Sequence, residues 1–327
     1  MTTPFGWLAQ RVTLSPRALR WGTTAALVVS ILIVLGGGVV RVTGSGLGCP
    51  TWPSCNGTSV APIAALGIHG IIEFSNRMLT GVLIVAVGWA IVAARLQKHR
   101  DRMLTRLAWS MFWLVVVNAV AGGITVLVQL NPWVVAMHFV LAMALLATAT
   151  LTWHRALELG ARAISGRRRD ASADRRPGGR SSRALVWTLL PFTAALVVVG
   201  TLVSGSGPHS GDTVAVPRMG LDWTDVVLIH AGLAVIVVAL TVVLFVVLRR
   251  QADAAIARRT TLVLFVLLLA QGAIGGVQSL TGIPAVLVAL HLLGAALVWV
   301  GAIRVLLDVE PGLFALKAIP AETESRL

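Results

Sequence analysis

Six ionisable side chains stand inside segments that are otherwise apolar: His69, Glu73, Arg77, His138, His230 and His291. Such groups are costly in hydrocarbon, face a protein interior and mark function. The four histidines fall near the same end of four different apolar segments. Neutral imidazoles facing each other across a helical bundle make axial ligands for a haem iron. Zinc suits the pattern less well, because neither half of the chain clusters three or four ligands. His99, His154 and His209 lie outside the apolar segments.

The segment that starts with His69 carries more than its histidine. At 3.6 residues per turn, Glu73 sits about 40° and Asn76 about 340° round from His69, so the three share one helical face with Arg77 beside it. Glu73 is the one carboxylate among the membrane histidines. It stands for chemistry in the first half of the chain, whereas a plain Glu73–Arg77 pair at (i, i+4) would serve the helix alone. Cys49 and Cys55 lie in GSGLGCPTWPSCNG, a Gly- and Pro-rich stretch just before this segment. In an oxidising compartment they read either as a short structural disulfide or as a redox-active pair.

Long apolar helices must position these groups. Of the 327 residues, 57% are hydrophobic and only 12% charged, with a mean hydropathy of +0.86. That excludes a soluble enzyme, a disordered chain and a coiled coil. Eight stretches are long enough to span a bilayer: residues 21–40, 64–94, 107–128, 134–153, 184–203, 225–248, 260–279 and 285–305. The first is not followed by a convincing cleavage site, so it reads as a span rather than a leader. Of the 27 Lys and Arg residues, 24 fall on one side of this arrangement, and Arg41, Arg77 and Arg218 are the exceptions. By the positive-inside rule both termini are cytoplasmic and the histidine ends face outward. The net charge of +14 is then a topology signal and calls for no nucleic-acid partner.

The expected organisation is a cytoplasmic tail (1–20), a four-helix half (21–153), a basic linker (154–183), a second four-helix half (184–305) and a short tail (306–327). The linker, with GRRRDASADRRPGGRSSR, reads as solvated and orienting rather than lipid-binding. The halves repeat. Thr43-Gly44-Ser45-Gly46 matches Ser204-Gly205-Ser206-Gly207 at an offset of 161, which pairs His69 with His230. Gly122-Gly123 and His138 match Gly275-Gly276 and His291 at an offset of 153. These glycines read as helix-packing positions. The fold class is therefore an all-α membrane protein, with eight transmembrane helices in two pseudo-symmetric four-helix bundles.

The strings GGGVVRVTGSGLGCPTWPSCNG, IEFSNR, VVAMHF and GTLVSGSGPHSGD, with His230 and His291, resemble the haem A synthases of cytochrome oxidase assembly over essentially all eight spans. The resemblance implies an oxidoreductase with two haem sites. Haem b would sit between His230 and His291, and the first half would bind haem O and oxidise its C8 methyl to a formyl group, giving haem A. It also implies a plasma-membrane protein in lipid, with a haem O synthase and an electron acceptor as partners. The family pattern in the second span is Glu-x-x-His-Arg, and here Asn76 replaces that histidine. The expectation is that His69 takes over, ligating the substrate haem with His138 while Asn76 hydrogen-bonds nearby. The competing arrangement is His138 alone, with Asn76 facing an open position. Arg77 would either hold Glu73 ionised or bind a haem propionate. The contrasting function is a non-catalytic di-haem b cytochrome that passes electrons from quinol to a partner. The sequence leaves the oligomeric state open.

Overall fold

The computed structural model describes residues 7, 11–98, 100–165, 179–209, 211–212 and 216–313. Eight long helices carry the described chain: α1 (Pro16–Val42), α2 (Gly67–Arg95), α3 (Arg102–Leu127), α4 (Pro132–Ser165), α5 (Arg180–Ser206), α6 (Trp223–Arg249), α7 (Ala255–Leu280) and α8 (Ala285–Val309). Each contains an 18-residue stretch of mean hydropathy between 1.9 and 3.1, which makes all eight membrane spans by length and composition. Polar residues set their starts. Ser15 accepts from the Ala18 amide at 3.3 Å, with Pro16 opening α1. Asp101 accepts from the Leu104 amide at 2.6 Å and Asp222 from the Asp225 amide at 3.0 Å. These side chains satisfy amides that the first helical turn leaves open.

Within the first half, neighbours in sequence pack together and α4 closes the ring against α1. α5 to α8 repeat the arrangement. The halves meet along α1, α4, α5 and α8, with α4 against α8 at the centre. Trp299 on α8 donates to the Met143 carbonyl of α4 at 2.9 Å across this seam. Each half has its own apolar core, one around Leu83, Met111 and Leu146 and the other around Leu189, Leu244 and Leu264.

Most of the expected spans differ at their ends, and α1, α3 and α7 each start five residues earlier than expected, at Pro16, Arg102 and Ala255. The second begins with a short 3-10 turn, Ala64–Leu66, before α2 proper. The fourth, expected to stop at 153, continues to Ser165. The extension is polar and held by ion pairs: Arg155 to Asp101 at 2.7 Å and to Glu158 at 3.0 Å, with His154 bonded to Arg304 at 2.8 Å. The fifth starts at Arg180 and the eighth runs on to Val309, where Glu310 pairs with Arg183. Residues 166–178 of the basic linker lie outside the described residues.

The repeat extends to backbone detail. Leu130 and Ile283, 153 apart, both turn with positive φ of 56° and 59°. Their amides bond the Thr125 and Gln278 carbonyls at 2.8 and 2.7 Å. The two half-turns thus deliver α4 and α8 to their neighbours in the same register.

Candidate active site

Glycines of the odd-numbered helices fix where the polar side chains point. A Cβ placed on Gly122 of α3 would lie 3.3 Å from the His138 ring, and one on Gly275 of α7 would lie 3.4 Å from the His291 ring. One on Gly200 of α5 would lie 3.1 Å from the His230 ring. The fourth member of this set is not a histidine: a Cβ on Gly36 of α1 would come 2.4 Å from Asn76 Oδ1. Gly36 and Gly200 hold the same place in two 27-residue helices. The glycines read as helix-packing positions thus have another use. Gly122 and Gly275 make room for imidazoles, Gly123 accommodates the indole of Trp52, which would lie 2.4 Å from a Cβ there, and a Cβ on Gly276 would meet nothing within 4 Å.

The offset that paired His69 with His230 does not hold in three dimensions. α2 and α6 end at Arg95 and Arg249, and Asn76 lies as far before the first as His230 lies before the second. His69 is about 10 Å further toward the disulfide end by helix rise. There its Nδ1 meets Ser45 Oγ at 3.0 Å, and Ser45 Oγ meets Thr43 Oγ1 at 2.8 Å. Gly48 lies against the His69 carbonyl, where a Cβ would come within 2.2 Å. With Leu66 and Asp212, His69 lines a cavity of about 300 Å³ at that end. By the repeat, Asn76 then corresponds to His230 and His138 to His291, with His69 about two turns away along α2.

In the second half the His230 and His291 ring centroids lie 6.3 Å apart. Two metal–imidazole bonds of about 2 Å each, plus the ring radii, span about 6 Å. Among the described residues, Nδ1 of His138, His230 and His291 is buried without a partner of hydrogen-bond geometry, although the Leu196 carbonyl stands near the His230 ring. Facing imidazoles at this spacing, with glycine opposite each ring, fit a haem held by two axial histidines.

Glu73 is 5% exposed and fully engaged. Oε2 accepts the Cys49 amide at 2.6 Å, and Oε1 accepts from Arg77 Nη2 at 2.6 Å. Arg77 also donates to the carbonyls of Cys49, Thr51 and Ser54 at 3.1, 3.0 and 3.2 Å. The guanidinium therefore orients Glu73 and grips the loop. Cys49 and Cys55 form a disulfide and are both fully buried. Their loop is tied to the carboxylate through backbone, and it lays Trp52 on Gly123 beside His138. At the matching positions α6 has Val227 and Ala231, neither of them charged.

Loops of the two halves are strapped together above the site. Arg41 donates to the Ser204 and His209 carbonyls at 2.6 and 2.8 Å, and Asp212 accepts the Leu47 amide at 3.1 Å. Trp52, Ser45 and the Gly36 and Gly200 cradles were not visible in the sequence. The run Gly36-Gly37-Gly38 signals close approach but does not say which glycine faces which side chain.

Residues 20–303 match the family model of the cytochrome oxidase assembly protein. A protein of Staphylococcus epidermidis named heme A synthase is 26% identical over 285 residues, which is 84% of this chain and 90% of that one. The heme A synthase of Staphylococcus haemolyticus is 25% identical over 287 residues, 85% of this chain and 90% of its own. That of Symbiobacterium thermophilum is 34% identical over 195 residues, covering 58% of this chain and 60% of its own.

Proposed function

The chain belongs to the cytochrome oxidase assembly protein family, and from that premise we propose that it is a haem A synthase that works in its first half and relays electrons through its second. The observation that carries this is a single buried carboxylate, Glu73, placed beside only one of two otherwise repeated sites. A di-haem electron carrier has no use for that asymmetry.

The reaction converts a methyl group and one water into a formyl group, with release of four protons and four electrons. Glu73 serves it in two ways. As a carboxylate in a water-poor site it stabilises positive charge that develops on the reacting carbon, and it accepts a proton from the attacking water. Arg77 and the Cys49 amide hold both oxygens in place, which leaves the second lone pair of each for the reaction. His138 holds the haem O iron, and Trp52 with the disulfide loop covers that side of the site. His230 and His291 would hold haem b, which supplies a one-electron path to an acceptor in or beside the membrane. With 24 basic residues on one side, both termini would lie in the cytoplasm and the disulfide end outside the plasma membrane. A haem O synthase docking in the same bilayer would deliver the substrate.

The test is purification from cells that make haem O, followed by haem extraction and chromatography. The expected pigments are haem b together with haem O and haem A. Haem b alone, from cells with ample haem O, would mark the chain as an electron carrier and end the proposal.

A further inference from the structure

Asn76 occupies in the first half the place that His230 occupies in the second. Three observations agree on this. Each faces a glycine at the same level of the preceding helix, Gly36 or Gly200. Each stands equally far from the arginine that ends its own helix, Arg95 or Arg249. Each belongs to a half whose other two helices hold the matching Gly122–His138 or Gly275–His291 contact. Across from His138 there is therefore a carboxamide where, across from His291, there is an imidazole.

The two groups differ in chemistry. Imidazole is a standard axial ligand to haem iron, whereas a neutral carboxamide is not among the usual ones. It is instead a hydrogen-bonding group with both donors and an acceptor. Asn76 Oδ1 is buried with no hydrogen-bond partner among the described residues. A buried polar atom left so is costly unless something else bonds the group. His69 does not fill the gap, because its level, its bond to Ser45 and the backbone contact with Gly48 hold it nearer the disulfide end.

We propose that the first-half haem site is one-sided: His138 supplies the only protein ligand to the iron, and Asn76 keeps the opposite side open for a small exogenous ligand that its carboxamide hydrogen-bonds. The class of ligand is a small neutral molecule such as water, with carbon monoxide as the practical probe. The inference rests on the reading that haem O binds in the first half.

The test uses the purified holoprotein, with haem identity fixed by chromatography, reduced and exposed to carbon monoxide. The expected result is binding at one haem of two, with the ferric electron spin resonance spectrum showing one high-spin and one low-spin centre. Asn76→His should abolish carbon monoxide binding and give two low-spin centres at unchanged haem content. Asn76→Ala should keep the binding but shift the carbon monoxide stretching frequency, since the Asn76 Nδ2–H donor is gone. His69→Ala should leave both spectra as they are. Two low-spin haems and no carbon monoxide binding in the unaltered protein, or a low-spin centre lost in His69→Ala, would overturn the inference while leaving the haem A reading intact. Absence of haem O and haem A from the extract would remove both.

Discussion

Gly122 and Gly275 face His138 and His291 at nearly the same distance, yet the helices opposite present Asn76 in one half and His230 in the other. The surroundings diverge in the same direction. Around Asn76 the chain adds Glu73, Arg77, a disulfide loop and the Trp52 ring, and around His230 it places Val227, Ala231 and an uncovered Gly276. A duplicated scaffold kept its frame and changed its contents at a few positions. A symmetric pair of imidazoles suits holding and passing an electron. A carboxylate beside an imidazole with no matching partner suits chemistry on the haem itself.

The sharpest way to break this contrast is to remove the charge from one half only. Glu73→Gln keeps the size of the side chain and an acceptor for the Cys49 amide. Formyl formation should fall by roughly 100- to 1,000-fold, the range seen when a preorganised electrostatic group is lost. Haem content measured by pyridine haemochrome should not change. Haem A at the unaltered level would remove Glu73 from the reaction.

A second test loosens the loop that holds the carboxylate. In Cys49→Ser the disulfide is gone while the Cys49 amide remains, and only its placement on Glu73 Oε2 is relaxed. The turnover of haem O should drop roughly tenfold to 100-fold, since small displacements of a catalytic group cost about that much. The haem between His230 and His291 should keep its spectrum. A loss confined to the second-half haem would mean that the loop serves the wrong half for this account.

The smallest expected effects come from matched glycines. Gly276→Ala has open space and removes a flexible residue from a helix, so stability should hold or rise by about 1 kcal/mol or less. Gly123→Ala must displace the Trp52 ring, which lies 2.4 Å from the new methyl, and overpacking of that kind costs about 1–3 kcal/mol. Thermal unfolding of the two variants side by side gives the comparison. Equal midpoints would say that Trp52 is not seated on Gly123.

The eight spans were legible because hydropathy alone selects segments of bilayer length. The C-terminal end of α4 was not, since it is polar and Arg155 there pairs with Glu158 on the same helix and with Asp101 from just before α3. The ionisable inventory was legible too, because charged groups stand out in an apolar background. The register of the repeat was read correctly for α3, α4, α7 and α8, which are joined by equal short turns at Leu130 and Ile283. It was misread for α2. The connection from α1 to α2 is longer than that from α5 to α6, so an offset taken from the ends of α1 and α5 cannot be carried across it. His69 matched His230 on that offset by coincidence. The arginines that close α2 and α6 held the correct register, but their use as a ruler needs the helix ends to be known. Trp52 escaped notice because a loop indole gives no sign of which helix it covers.

The division of labour between the halves is tested most directly by two single variants prepared together, His138→Ala and His291→Ala, with extracted haems separated by chromatography. His291→Ala should lose haem b and keep haem O, and His138→Ala should keep haem b and lose both haem O and haem A. If both variants lose the same pigment, the two sites are not separate holders of cofactor and substrate, and the account fails.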